Sequence, residues 1–150
     1  RRFAAENWGM SDKGIWQSLR ENAKTKTFDR DFELWGGDVD TAVIDLAREN
    51  AKKAKVDKYI TFEKADATKF SPLHDNGICV TNPPYGERLL EVKDAEKLYR
   101  DFGKVMSGLP NFSTYIIASH PEFEYFYGKK AKKRRKMYNG MIKCDLYMYF

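Results

Sequence analysis

Three short segments of this 150-residue chain hold side chains whose types and placement could do chemistry. Gly36-Gly37-Asp38-Val39-Asp40, Ala65-Asp66-Ala67 and Asn82-Pro83-Pro84-Tyr85-Gly86-Glu87-Arg88 each follow directly on a strand-like run. An ionised carboxylate is purely an acceptor and has two oxygens, so Asp38 could take both hydroxyls of a ribose and Asp66 the amino group of an adenine. Asp38 and Asp40 are equally suited to capping a helix, and Asp66 to an ordinary loop; only their shared strand-end position favours a ligand. Asn82-Pro83-Pro84-Tyr85 is more specific, because average composition yields such a tetrapeptide at roughly one position in 10⁵. Two prolines make a rigid turn whatever the function, but a turn alone does not ask for Asn before them or an aromatic after them. An amide carbonyl and a proline carbonyl can hold the two N–H groups of an exocyclic amine while the tyrosine ring stacks on the base that bears it. That arrangement suits methylation of an amine.

The elements that must position these residues follow from periodicity. Ser11-Asp12 caps a helix to about Ala23, with Ile15, Trp16, Leu19 and Ala23 on one face. Phe32 to Gly37 reads as a strand ending at two glycines. A second helix runs from Thr41 to Ala54 with Val43, Leu46, Ala47, Asn50, Ala51 and Ala54 inward, and its terminal lysines suit the helix dipole. Lys58–Lys64 and Gly77–Thr81 read as strands, and Asp94–Ser107 as a helix with Leu98, Phe102, Val105 and Met106 inward, stopped by Gly108 and Pro110. Ser113–Ser119 is a strand, Glu122–Tyr127 a short helix, and Asn139-Gly140 a hairpin turn between Arg134–Tyr138 and Met141–Tyr149. The pattern predicts an α/β domain whose parallel part closes with a C-terminal antiparallel hairpin. In an open α/β sheet ligands bind beyond the carboxyl ends of the strands, so parallel strands would bring the three segments to one rim.

Composition limits the class. Hydrophobic residues make up 42 %, aromatics 15 % and charged residues 33 %, with mean hydropathy −0.69 and no long apolar run, which predicts a globular protein with neither a membrane span nor a secretory signal. Cys79 and Cys144 lack metal or disulfide spacing, and His74 and His120 lack a second ligand, so no metal is expected and a cytoplasmic setting is. Net charge is +5, yet residues 129–136 supply seven basic side chains; without them 20 basic residues face 22 acidic ones. A local polyanion contact through Lys132, Lys133, Arg134 and Arg135 is one reading, and protection of an edge strand is the other.

Over most of its length the sequence resembles the class I S-adenosylmethionine-dependent RNA methyltransferases that modify the N2 amine of guanine in large-subunit ribosomal RNA, bacterial enzymes that usually carry a THUMP RNA-binding domain. Arg2-Phe3, Trp8, Gly37-Asp38-Val39-Asp40, Ile60-Thr61-Phe62, Asn82 to Leu89 and Lys133 to Ile142 carry the resemblance. It implies a Rossmann-like class I methyltransferase sheet and S-adenosylmethionine (SAM) as cofactor. Asp38 and Val39 would lie on the ribose side and Asp66 and Ala67 on the adenine side, with Asn82 touching both cofactor and target. Asn82, Pro83, Pro84 and Tyr85 would form the amine clamp, and Arg88 with the basic run would meet RNA. A DNA adenine-N6 or protein glutamine-N5 methyltransferase would share the clamp, and a non-catalytic RNA-binding module would use only the basic strand and the aromatics.

The family's glycine-rich first motif, Asp-Pro-x-Cys-Gly-Ser-Gly-Thr, and its strand do not occur here, nor does THUMP. Residues 1–150 are therefore expected to be a single partial methyltransferase domain, the later part of a catalytic domain in a longer protein. On that expectation the strands ending at Asp38 and Asn82 flank an empty slot, and the isolated chain is poorly stable and binds SAM weakly or not at all.

Overall fold

Acidic N-caps start the first helices where the sequence places them. The computed structural model describes residues 3–9, 12–26, 32–85 and 92–150, and the chain divides into two units, 1–34 and 35–150. In the first unit the Asp12 carboxylate accepts the Gly14 amide at 2.8 Å and opens α1 (Lys13–Thr25); Ser11 lies outside the described residues. A 3-10 turn, Ala4–Asn7, pairs Glu6 with Arg20 and sets the Phe3 ring 5.8 Å from Trp16. The inward side of α1 is therefore Trp16 and Arg20, one turn apart. Ile15, Leu19 and Ala23, expected on that face, are exposed, because a single short turn covers only a narrow stripe.

The second unit begins with β1 (Leu34–Asp38), α2 (Thr41–Ala54) and β2 (Ile60–Lys64). Asp40 caps α2 through the Ala42 amide at 2.8 Å. The Ala65 amide donates to the Asp38 carbonyl at 2.9 Å, which puts the carboxyl ends of β1 and β2 side by side and makes the pair parallel. Two strands offer a narrow floor. Ile44 and Ala51 alone are fully buried on α2, whereas Val43 and Leu46, expected inward, are 45 % and 56 % exposed.

The remaining strands form a separate four-stranded sheet in the order β3-β4-β6-β5, from β3 (Gly77–Thr81), β4 (Phe112–Ala118), β5 (Lys133–Asn139) and β6 (Ile142–Tyr149). β3 and β4 are parallel, and β6 is antiparallel to β4 and β5. Among the described residues no ladder joins the two sheets, so β1 and β3 each keep an unpaired edge, and Ile78 and Val80 of β3 are 71 % and 72 % exposed.

The hairpin differs from expectation by one residue. Asn139 pairs with Ile142, so the loop is Gly140-Met141, with positive φ at Gly140 (62°) and not at Met141, the pattern of a type II′ turn. Asn139 becomes the last rung of the ladder instead of a turn residue.

The core lies between this sheet, α3 (Val92–Ser107) and α4 (Phe123–Tyr127). α3 turns Ala95, Tyr99, Phe102 and Met106 inward, while Leu98 and Val105, expected there, are half-buried. Phe123 and Tyr147 rings sit 4.6 Å apart and Tyr127 and Tyr149 rings 4.7 Å apart. No helix among the described residues is long and apolar enough to cross a membrane.

α3 meets α4 so closely that a Cβ on Gly103 would stand 2.1 Å from the Tyr127 carbonyl oxygen. Alanine gains about 1 kcal/mol of helix propensity there, but overpacking against backbone costs about 1–3 kcal/mol or more. Gly103→Ala should therefore lower the melting temperature of the intact protein, while Gly9→Ala, with open space around it, should not. Equal melting temperatures would show that the helices do not meet at Gly103.

Candidate active site

Each acidic candidate does two jobs. Asp38, half-buried at the end of β1, uses Oδ1 to accept the Asp40 amide at 2.9 Å. Among the described residues its Oδ2 accepts no hydrogen bond, so acceptor capacity remains. Val39 beside it is 61 % exposed. Asp66 caps the 3-10 turn Ala67–Lys69, and its Oδ1 accepts the Thr68 hydroxyl at 2.7 Å and the Thr68 amide at 2.9 Å. The hydroxyl bond first, and the amide bond second, hold this carboxyl below its ordinary value, so it is an ionised acceptor throughout the neutral range. The hydrogen bond from Ala65 to Asp38 sets the two carboxylate segments on one rim. A cavity of about 260 Å³ opens beside them, lined by Trp35, Ala65, Asp66, Lys69, Phe70 and Ser71.

The segment after β3 is held by other elements. The Tyr99 hydroxyl donates to the Pro84 carbonyl at 2.6 Å. The Tyr85 hydroxyl accepts from Asn139 Nδ2 and from Cys144 Sγ, both at 3.5 Å. Burial pushes the Tyr85 phenol up, the Cys144 thiol adds to this, and the Asn139 and Asn82 amides oppose it. Asn82 is exposed, and no described residue donates to the Pro83 carbonyl. Among the described residues, Asn82 Oδ1 and the Pro83 carbonyl thus accept no hydrogen bond beside a half-buried aromatic ring, while the Asn82 amide group faces the Tyr85 phenol. Gly86, Glu87, Arg88 and Leu89 lie outside the described residues.

Phe70 bridges the two sheets, its ring 5.8 Å from Trp35 on β1 and 6.1 Å, edge-on, from Phe112 on β4. Among the described residues no hydrogen bond joins the carboxylate rim to the Asn82–Tyr85 loop.

β5 is the edge strand and every residue of it is exposed. Its basic side chains are not equivalent. Arg134 is bonded to Asp145 at 2.7 Å and to Glu124 at 3.3 Å, with its guanidinium 5.0 Å from the Tyr147 ring centre. Lys133, and Lys132 just before the strand, lie over the Phe150 ring at 5.9 and 4.9 Å, and Arg135 has no such anchor among the described residues.

Sequence reasoning missed Tyr99, Asn139 and Cys144. Tyr99 was legible in the spacing Ala95, Tyr99, Phe102, Met106, which is as helical as the stripe chosen. Asn139 was hidden by its fitness for a turn, and nothing in the sequence points to Cys144. His120 Nδ1 accepts the Glu122 amide at 3.2 Å in the turn before α4, and its side chain, 10 % exposed, packs against Tyr99 and Phe126.

Residues 2–148 match the family model UPF0020, described as an RMKL-like methyltransferase domain. YpsC of Bacillus subtilis (strain 168), which carries an RNA methyltransferase name, is 36 % identical over 151 residues, covering 100 % of this chain and 39 % of that one. The ribosomal RNA large subunit methyltransferase K/L of Shewanella baltica (strain OS185) is 34 % identical over 153 residues, covering 99 % of this chain and 22 % of that one. The SMU.472 protein, solved in complex with SAH, superposes with a TM-score of 0.86 at 33 % identity, covering 100 % of this chain and 40 % of that one. This chain spans about two-fifths or less of the length of these relatives. The match runs over nearly the whole chain and the mixed sheet is shared with these structures, so the chain belongs to the UPF0020 family of RMKL-like methyltransferase domains.

Proposed function

We propose that this chain is the later part of the catalytic domain of a SAM-dependent RNA methyltransferase acting on an exocyclic amine, the N2 amine of guanine in large-subunit ribosomal RNA. The observation that carries this reading is the division of labour in the Asn82–Tyr85 loop. The Pro84 carbonyl and Tyr85 hydroxyl are taken by the protein, and the Asn82 side chain and Pro83 carbonyl are left to accept an amine's two N–H groups. The family membership and the names of the relatives support the RNA substrate.

The described residues fit the adenosine half of SAM: Asp38 Oδ2 and Val39 for the ribose side, and ionised Asp66 with Ala67 for the adenine side. When bound, the cofactor supplies an electrophilic methyl group on its sulfonium. A guanine N2 amine is a poor nucleophile because its lone pair is delocalised into the ring, so orientation is the protein's main task. The base is taken from a single-stranded loop or flipped out; Tyr85 stacks on it, and Asn82 and Pro83 aim its nitrogen. Asn82 and Pro83 would keep the amine nitrogen in line while it takes the methyl group, and the amine proton would leave to solvent. Asn82→Ala in the intact protein should lower methyl transfer to an unmodified large-subunit ribosomal RNA transcript by about 10²-fold or more at saturating SAM, well beyond any loss of SAM affinity from its cofactor contact. Near-normal turnover would remove the clamp.

The open edges of β1 and β3 and the exposed Ile78 and Val80 support a missing strand between them, contributed by part of the protein outside these 150 residues. Calorimetry should then find SAM binding to the intact protein and weak or no binding to this chain alone. Micromolar binding by the isolated chain would overturn this.

Lys132, Lys133 and Arg135, together with Arg88, are the proposed phosphate contacts, while Arg134 holds β5 to α4 and β6. Replacing Lys132, Lys133 and Arg135 with Ala should flatten the salt dependence of RNA binding by about 0.7 in log–log slope per lost contact. An unchanged slope would assign them to protecting the edge.

A further inference from the structure

Taking Asn82–Tyr85 as the amine clamp, we infer that Tyr99 on α3, and Asn139 and Cys144 at the head of the hairpin, are its positioning residues, which fix the stacking ring at both ends. None of them reaches the reacting atoms.

The argument starts from the torsions left free in the loop. Pro83 and Pro84 have φ set by their rings, and the peptide planes are rigid. What still turns near the aromatic is ψ of Pro84 and φ of Tyr85, the two rotations on either side of the Pro84–Tyr85 peptide. The carbonyl of that peptide is the one Tyr99 holds, at 2.6 Å. Tyr99 is itself immobilised, 1 % exposed, with its ring 5.0 Å from Phe123 and 5.9 Å from His120. Burial pushes its phenol up to about 12, so it remains a proton donor at any physiological pH.

The far end of the Tyr85 ring is set by the hairpin. Asn139 Nδ2 and Cys144 Sγ each lie 3.5 Å from the Tyr85 hydroxyl, the thiol also standing 3.6 Å from the Ile142 carbonyl. Each contact is weak alone, since the amide bond is long and a thiol is a poor donor. Together they set the side-chain rotation, which the backbone bond cannot reach. They also follow from the type II′ turn: were Asn139 a central turn residue, its side chain would leave the ladder end that faces Tyr85. Because β5 carries both the basic run and Asn139, the strand proposed to meet RNA is the one that holds the clamp's ring.

Two measurements on the intact protein test this. In the first, Tyr99→Phe should lower kcat for the ribosomal RNA transcript by about 10- to 100-fold, with the SAM Kd within about twofold and KM little changed, because a misplacement near 1 Å costs about that much. Cys144→Ala and Cys144→Ser then separate bonding from packing. A serine hydroxyl could bond the Ile142 carbonyl, which lies 3.6 Å from the thiol, so stability does not separate the two; if Cys144 only fills space or bonds Ile142, Ser should leave both kcat and the Tyr85 ring signal where Ala does. If it donates to Tyr85, Ser should recover part of the kcat that Ala loses. In the second, the Tyr85 ring signal of protein labelled with [13C]tyrosine, assigned through Tyr85→Phe, should shift or broaden in Tyr99→Phe and in Cys144→Ala. An unmoved ring signal overturns the inference whatever the activity; kcat in Ala equal to or above Ser overturns the role of Cys144. A moved ring signal alongside full turnover by Asn82→Ala would leave the positioning contacts standing and remove the clamp reading they rest on.

Discussion

Between α3, α4 and strands β4 and β6 the core is filled by tyrosines, and every hydroxyl buried among their rings has to find a partner. A phenol left without one costs about 1–3 kcal/mol, as much as a sizeable fraction of a domain's stability. Tyr99 meets this by reaching the Pro84 carbonyl at 2.6 Å, and Tyr149 by reaching the Lys129 carbonyl at 3.2 Å. Each solution lies at the border of the core, where a loop or strand passes. A phenylalanine core would be as apolar and would hold none of these segments in place. The functional loop after β3 is therefore tied to the packing of the domain through one phenol, and the segment leading into the basic strand through another.

The same constraint explains why the two halves of the second unit differ. The four-stranded sheet has two helices on one face and buries rings from α3, α4 and β6. The β1–β2 pair has one helix and fully buries only Ile44 and Ala51 there. Phe70, between Trp35 and Phe112, carries the aromatic contact from one sheet to the other. The carboxylates proposed for the cofactor side thus sit on the thinner part and the loop proposed for the target side on the thicker part. Local hydrogen bonds can hold Asp38 and Asp66 in such a place because both are satisfied within two residues of themselves.

Much of this was legible before the structure. Strand ends, the Asp12 and Asp40 caps, Gly77–Thr81 and the antiparallel closure depend on interactions within a few residues, which the sequence carries directly. Helix faces were less so. Val43, Leu46, Ile15 and Leu19 are apolar at helical spacing, but burial depends on what stands opposite, and within each unit little stands opposite them. The site divides the same way. Asn82 to Tyr85 and the two carboxylates follow from residue type at strand ends, whereas Tyr99, Asn139 and Cys144 act across 15 to 59 residues of sequence separation. The hairpin shows how small the margin is. Moving the loop from Asn139-Gly140 to Gly140-Met141 changes the turn type, and with it the role of one asparagine.

A rigid loop is what the proposed methylation of a purine amine requires. A general base gives little help to an amine whose lone pair is spread over a purine, since the proton leaves readily once the new bond forms; the barrier falls mainly through alignment of nitrogen, methyl carbon and sulfur. Alignment by two carbonyls and one ring works only if those three groups keep their places relative to each other. Two prolines stiffen the backbone, but they leave the following peptide and the ring free to turn. The contacts from α3 and the hairpin remove those rotations with neutral groups, so no charge is placed where it would compete with a cationic cofactor for the acceptors. Arg134, the basic side chain of β5 most firmly bound within the fold, spends its charge on Glu124 and Asp145 and stacks on Tyr147. The strand that presents positive charge outward is thereby anchored inward by one of its own cations, which leaves its neighbours available for a polyanion and keeps the hairpin seated against the Tyr85 ring.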